Sequence, residues 1–304
     1  MTSTPLSRRE ALALLIAGAA AAAAGATGAQ TRPSMHLRTI PSSGERVPVI
    51  GLGSWQTFDV NASDAARKPL EDVLSLFVSL GGTLVDSSPM YGRSEQVLGD
   101  IATKLGVREK LFMATKVWTS GRAAGIAQMS ESEKKLRGRV DLMQVHNLVD
   151  ADTHLGTLRA WKAEKRIRYI GITHYTSSAY LDLAAVIRRG GIDFVQLNYS
   201  LAEREAERRL LPLCQEKGVA VLINRPLGAG SLFRDTRGKP LPAIAKELDC
   251  HSWAELFLKF VVSHPAVTAA IPATSKPEHL RENMRAGTGP LPDPAIRAKI
   301  AEAV

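Results

Sequence analysis

Thr83-Leu84-Val85-Asp86-Ser87-Ser88-Pro89-Met90-Tyr91-Gly92 starts as an apolar run and ends in polar side chains suited to proton transfer. Two later stretches repeat the design. Leu111-Phe112-Met113-Ala114-Thr115 runs into Lys116, and Leu142-Met143-Gln144-Val145 runs into His146. Read as neighbouring parallel strands, the three stretches bring Asp86, Tyr91, Lys116 and His146 to one rim of a sheet. Parallel α/β folds keep their chemistry at strand C-terminal ends, so the pattern predicts an enzyme.

The same rhythm extends in both directions. Residues 36–40 and 46–48 flank Ser42-Ser43-Gly44 and read as a small hairpin. Residues 49–53 read as a strand and 64–80 as a helix closed by Gly81-Gly82. Strands over 83–86, 111–116 and 141–146 are followed by helices over 94–105, near 129–136 and from about 153 to 164. Strands at 169–172, 194–198, 220–223 and 267–271 alternate with helices at 178–189, 205–217, 252–263 and from 277 to 284. Eight strand–helix units in one chain predict an α/β fold, a single-domain (β/α)8 TIM barrel over residues 30–304. The alternative is an open doubly wound sheet. Its Gly-x-Gly-x-x-Gly phosphate turn is missing, because Gly51-Leu52-Gly53 leads into Ser54-Trp55-Gln56.

Residues 1–29 read as a leader outside the fold. Arg8-Arg9 precedes an alanine-rich apolar run from Ala11 to Ala24, and small residues allow cleavage after Ala26 or Ala29. The arginine pair resembles a twin-arginine signal, although Ala11 stands where that pattern favours a bulkier apolar residue. The expectation is recognition by the twin-arginine export machinery and a mature periplasmic protein, with an ordinary secretory signal or an uncleaved anchor as the alternatives. The run is too short to span a bilayer as a helix, and no later stretch is long and apolar enough.

The formal charge is +9 and falls by only one when Arg8, Arg9 and Glu10 leave together. The remaining basic residues interleave with acids, as in Glu203-Arg204-Glu205-Ala206-Glu207-Arg208-Arg209, which reads as a solvated helix face. No nucleic-acid-binding motif is present and aromatics are sparse, so a nucleic-acid partner is not expected. The excess positive charge instead suits attraction of an anionic cofactor. Cys214 and Cys250 lack metal-ligand spacing and read as two buried thiols, with no metal expected.

Over nearly the whole mature chain the sequence resembles the aldo-keto reductases. The likeness rests on Gly51-Leu52-Gly53-Ser54-Trp55, Asp86-Ser87-Ser88-Pro89-Met90-Tyr91-Gly92, Lys116, and Gln144-Val145-His146. It continues through Gly171-Ile172-Thr173-His174, Gln196-Leu197-Asn198-Tyr199, and Pro226-Leu227-Gly228-Ala229-Gly230. It closes with Ile271-Pro272-Ala273-Thr274-Ser275-Lys276 and Glu282-Asn283. The resemblance implies reduction of an aldehyde or ketone to an alcohol by a nicotinamide dinucleotide bound without a Rossmann fold. It makes Asp86, Tyr91, Lys116 and His146 a catalytic tetrad. Tyr91 is then the general acid, and an ammonium beside it is expected to lower its pKa. Asp86 holds Lys116 in place, and His146 orients the carbonyl.

Cofactor contacts are also implied by the resemblance. Near the reacting ring they are Ser54, Trp55, Asp86, Thr173, His174 and Gln196. Asn224, Leu227 and Gly228 follow the seventh barrel strand, and many members have a ring-stacking tyrosine where this chain has Asn224. Thr274, Ser275, Lys276, His279, Glu282 and Asn283 form the adenosine-phosphate end. Ala273 and His279 replace the usual lysine and arginine, which leaves Lys276 to favour NADP (as NADPH) over NAD. Trp55, Met90, Trp118 and Asn147 are expected to line the site of a small-molecule carbonyl substrate. Two competing readings are a cofactor-binding sensor on the same barrel with little turnover, and a metal-dependent barrel hydrolase. The full tetrad disfavours the first, and the lack of a second histidine or paired carboxylates beside His146 disfavours the second.

Overall fold

The structure, a computed structural model, describes residues 34–304. The leader therefore lies outside the described residues. A two-stranded antiparallel hairpin comes first, β1 (Leu37–Thr39) and β2 (Arg46–Pro48). Eight parallel strands follow: β3 (Leu52–Gly53), β4 (Leu84–Asp86), β5 (Phe112–Val117), β6 (Leu142–His146), β7 (Tyr169–Thr173), β8 (Phe194–Asn198), β9 (Ala220–Asn224) and β10 (Ala269–Ala270). Each pairs with its neighbour in chain order. Parallel bridges Ile50–Ala270 and Gly53–Ala273 join the first strand to the last and close the barrel. That seam excludes the open doubly wound sheet.

Helices cover the outside: α1 (Asp64–Ser79), α2 (Ser94–Lys104), α3 (Arg122–Lys135), α4 (Ala151–Ala163), α5 (Tyr180–Arg189), α6 (Leu210–Lys217), α9 (Trp253–Val262) and α10 (Pro277–Arg285). Short helices α7 (Ser231–Asp235) and α8 (Ile244–Glu247) fill the excursion after β9, and α11 (Pro294–Glu302) ends the chain. Caps set several boundaries. The hydroxyls of Ser63 and Ser252 accept the amides of Ala66 and Glu255, and the Asp293 carboxylate accepts that of Ile296. Among the described residues no helix is long and apolar enough to cross a membrane.

The two-residue period of a strand explains how the core divides. Val85, Met113, Val145, Ile170, Val195 and Val221 face outward and pack under the helices. Leu84, Phe112, Ala114, Leu142, Tyr169, Phe194 and Leu222 form a second cluster that fills the barrel. Ile40 and Val47 of the hairpin region belong to that inner cluster, so the hairpin plugs the N-terminal end. Phe112, Tyr169 and Phe194 pack ring against ring there, with centroids 5.4–6.1 Å apart. The inner face thus runs from an aromatic floor to polar residues at the C-terminal rim. Both cysteines are buried free thiols, as expected, and burial pushes both up to about 12.

Candidate active site

The inward positions at the rim are Asp86, Lys116, Gln144, His146, Thr173, Gln196 and Asn224. Parallel register places them as neighbours. Gly53 lies opposite Asp86, Lys116 opposite Gln144, His146 opposite Thr173, and Thr173 opposite Gln196.

Asp86 is the hub. Its Oδ2 accepts from Lys116 Nζ at 2.6 Å, and its Oδ1 accepts from Gln144 Nε2 and Gln196 Nε2, both at 2.9 Å. Its backbone carbonyl accepts from the Ser54 amide at 3.1 Å and the Ser54 hydroxyl at 3.0 Å. Lys116 is fully buried and donates a second bond to the Ser87 carbonyl at 2.7 Å. Burial alone would lower its pKa. Asp86 and Tyr91 override that effect, so Lys116 stays charged with its pKa above the usual value.

Tyr91 sits in the loop after β4, turned by a hydrogen bond from its amide to the Ser88 carbonyl at 3.0 Å. Lys116 Nζ lies 4.8 Å from its ring centroid. Trp55 packs on the ring at 4.8 Å, and His146 meets it edge-on at 5.8 Å. The phenol pKa is raised, the reverse of the expected direction. Burial is the largest cause and outweighs the downward pull of Lys116, while Asp86 adds a further upward push. Tyr91 is therefore a protonated donor beside a fixed cation. His146 is pulled down to about 3 by burial, then by Lys116 and His174, so its imidazole is neutral. Its Nδ1 lies 3.0 Å from Ser88 Oγ.

The structure brings the four proposed catalytic side chains together, along with most of the residues expected around them. Trp55 and Trp118 flank the tetrad, 47% and 41% exposed, and Trp118 lies 6.3 Å from the His146 ring. Met90 follows the same loop, its amide donating to Ser88 Oγ at 3.3 Å. Asn147 takes a left-handed backbone, φ 52°, directly after His146. Ser54 bridges β3 and β4 through Asp86 and Ser87. Thr173 donates to Gln196 Oε1 at 3.3 Å, and His174 stacks flat on Tyr175. Leu227 precedes a tight turn at Gly228, φ 61°. Further out, the Thr274 hydroxyl accepts the Lys276 amide at 3.1 Å, Ser275 and Lys276 are exposed, and α10 carries His279, Glu282 and Asn283.

Asn224 offers an acceptor of the kind a nicotinamide group would need. Its Nδ2 donates to the His174 carbonyl at 2.9 Å, but its Oδ1 is buried with no partner. A buried acceptor left unmade costs about 1–3 kcal/mol, so it marks a place for an outside donor such as a carboxamide NH2. Asn147 Oδ1, after β6, is orphaned in the same way. Sequence reasoning assigned no role to Ser87, Ser88 or Gln144, which tie the tetrad together. All three lay inside quoted motifs, but nothing in a serine or glutamine by itself signals such a bond.

Comparison with known proteins agrees with this geometry. The model of the aldo/keto reductase family matches residues 49–300. Methylglyoxal reductase YeaE of Escherichia coli (strain K12) is 28% identical over 261 residues, which is 82% of this chain and 89% of that protein. The crystal structure of an aldo/keto reductase from Klebsiella pneumoniae, in complex with NADP and acetate, is 25% identical with a TM-score of 0.73. The match covers 86% of this chain and 92% of that one. An aldo-keto reductase from Bacillus halodurans, 23% identical with a TM-score of 0.70 over 88% of this chain and 96% of that one, shares the fold.

Proposed function

Since the chain belongs to the aldo/keto reductase family and is an NAD(P)-dependent oxidoreductase, we propose that it reduces an aldehyde or ketone to an alcohol with Tyr91 as general acid. The observation that carries this reading is a fully buried Lys116, paired with Asp86 at 2.6 Å and set against the Tyr91 ring. When bound, the dinucleotide supplies the hydride. The protein supplies the rest. Tyr91 holds its proton until negative charge builds on the carbonyl oxygen, and then gives it up. Lys116 stabilises the phenolate left behind, and Asp86 keeps that ammonium from swinging away. The neutral His146 imidazole offers the same oxygen a hydrogen bond. Trp55 and Trp118 screen the rim from water. Methylglyoxal, in the name of the E. coli relative, is the first aldehyde to assay. The deciding experiment is single-turnover hydride transfer in the wild type and Tyr91→Phe.

NADPH is the favoured cofactor. The NADP in the Klebsiella complex supports it, as does the exposed Lys276 at the N-terminus of α10, where free amides and a cation suit a phosphate. Lys276→Ala should weaken NADPH binding by about 1–3 kcal/mol and leave NADH unchanged in fluorescence titrations. Equal affinities for the two in the wild type would exclude the assignment.

The leader, residues 1–29, is read as a twin-arginine signal that exports the folded protein to the periplasm. The support is the Arg8-Arg9 pair ahead of a modestly apolar run. Replacing both arginines with lysine should trap the precursor inside in fractionation assays, and unchanged export would disprove the route.

A further inference from the structure

Ser88 lies on the β4–α2 connection, fully buried, and takes no part in the proton transfer described above. Its hydroxyl makes two hydrogen bonds. It accepts the Met90 amide at 3.3 Å, and it faces His146 Nδ1 at 3.0 Å. We propose that Ser88 is a positioning residue that locks the His146 imidazole as the Nε2–H tautomer, so that Nε2–H is the donor offered to the substrate oxygen.

A count of donors and acceptors makes the assignment. The Ser88 hydroxyl proton is buried and needs an acceptor. Among the described residues the one acceptor in reach is His146 Nδ1. The reverse arrangement puts the Nδ1 proton and the Met90 amide on one oxygen and leaves the hydroxyl proton with no acceptor. Protonating both ring nitrogens leaves it equally stranded. It is also opposed by burial and by the Lys116 ammonium, which hold the ring neutral down to about 3. The ring also packs edge-on to Tyr91 at 5.8 Å and tilted against Trp118 at 6.3 Å, so its placement does not depend on Ser88 alone, whereas the position of its proton does. Nε2 makes no hydrogen bond within the protein and is not among the buried unpartnered atoms, so it is open to a ligand. The consequence for catalysis rests on the carbonyl reductase reading. The tautomer is a property of the protein alone.

The test is a long-range proton–nitrogen correlation spectrum of the mature protein labelled with nitrogen-15 histidine at neutral pH. The His146 signals are assigned by their loss in His146→Gln. The wild type should show a protonated Nε2 and an unprotonated Nδ1. Ser88→Ala should move His146 to a mixture of tautomers, and Ser88→Thr, which keeps the hydroxyl, should restore the wild-type pattern. Single-turnover reduction should slow by about tenfold in Ser88→Ala, the worth of one ordinary hydrogen bond, with NADPH affinity unchanged. A protonated Nδ1 in the wild type overturns the proposal whether or not any variant folds. So does an unchanged His146 pattern in Ser88→Ala. A wild type with the stated tautomer that reduces no carbonyl would count against the reductase reading, not against the Ser88 assignment.

Discussion

At the scale of single residues, Asp86 does more than pair with Lys116. Both carboxylate oxygens and the backbone carbonyl are engaged, by Lys116, Gln144, Gln196 and Ser54. The tetrad was legible because each member ends an apolar run or follows one closely, a pattern that survives in sequence. The supports were less so: Gln196 was expected as a cofactor contact and not as a donor to Asp86, and Gln144 looks like any polar strand residue until the barrel closes. The direction of the Tyr91 shift was also hidden. A sequence reveals that a lysine is near, but only packing reveals how far burial outweighs it. A raised pKa suits an acid that must stay protonated until the transition state. Tyr91→Phe keeps the ring against Trp55 and His146 and removes the proton. Hydride transfer should fall by about 10²–10⁴ with NADPH bound as tightly as before. Transfer at the wild-type rate, followed by the loss of NADPH absorbance, would remove Tyr91 from the mechanism.

At the scale of elements, β8 matched its expected range of 194–198, while other boundaries moved by physical causes. Helix α3 begins at Arg122, well before the expected 129, because its first turns are glycine- and alanine-rich and carry little apolar periodicity. The expected helix over 205–217 is broken at Arg209, φ −143°, into a 3₁₀ turn and α6. The first and last barrel strands are only two residues each, shorter than the expected 49–53 and 267–271, and both lie at the closing seam. There the backbones approach closely. A Cβ on Gly53 would stand 2.7 Å from the Ile271 carbonyl oxygen across the seam, and one on Gly51 3.0 Å from the Ile271 side chain. Gly53→Ala must therefore push the seam apart and should cost about 1–3 kcal/mol, the usual penalty of overpacking. Gly156→Ala supplies the contrast. It lies exposed in α4 with open space around it, and should be neutral or gain about 0.5–1 kcal/mol. Urea unfolding of the two variants measures the difference, and equal midpoints would mean that the seam is soft.

At the scale of the whole molecule, eight alternating units were enough to specify a barrel, whereas the plug formed by the hairpin was not legible. Ile40 and Val47 look like ordinary hairpin residues, and only closure gives them an interior to fill. Closure also fixes how the molecule responds to acid. His146 is pulled down to about 3, and His264 to about 4 by burial and then by Arg297. In the unfolded chain both titrate near 6.5. Between those values the unfolded state takes up protons that the folded state refuses. The stability these two groups contribute is thus fully present above 6.5 and drains away as pH falls toward 4 and 3. Glu95 acts the other way. Burial raises its pKa, so it favours the fold on the acid side and opposes it as pH rises. A variant comparison separates these contributions. His264 packs edge-on against Tyr199 at 5.9 Å, away from the tetrad, so His264→Gln leaves the site intact. The wild type should lose melting temperature steadily between pH 7 and 5, values set by the histidine range. His264→Gln should lose less over the same interval, because one of the two refused protons is gone. Parallel melting curves for the two proteins across that interval would show that His264 is protonated in the fold, and that its place beside Tyr199 tolerates the charge despite Arg297.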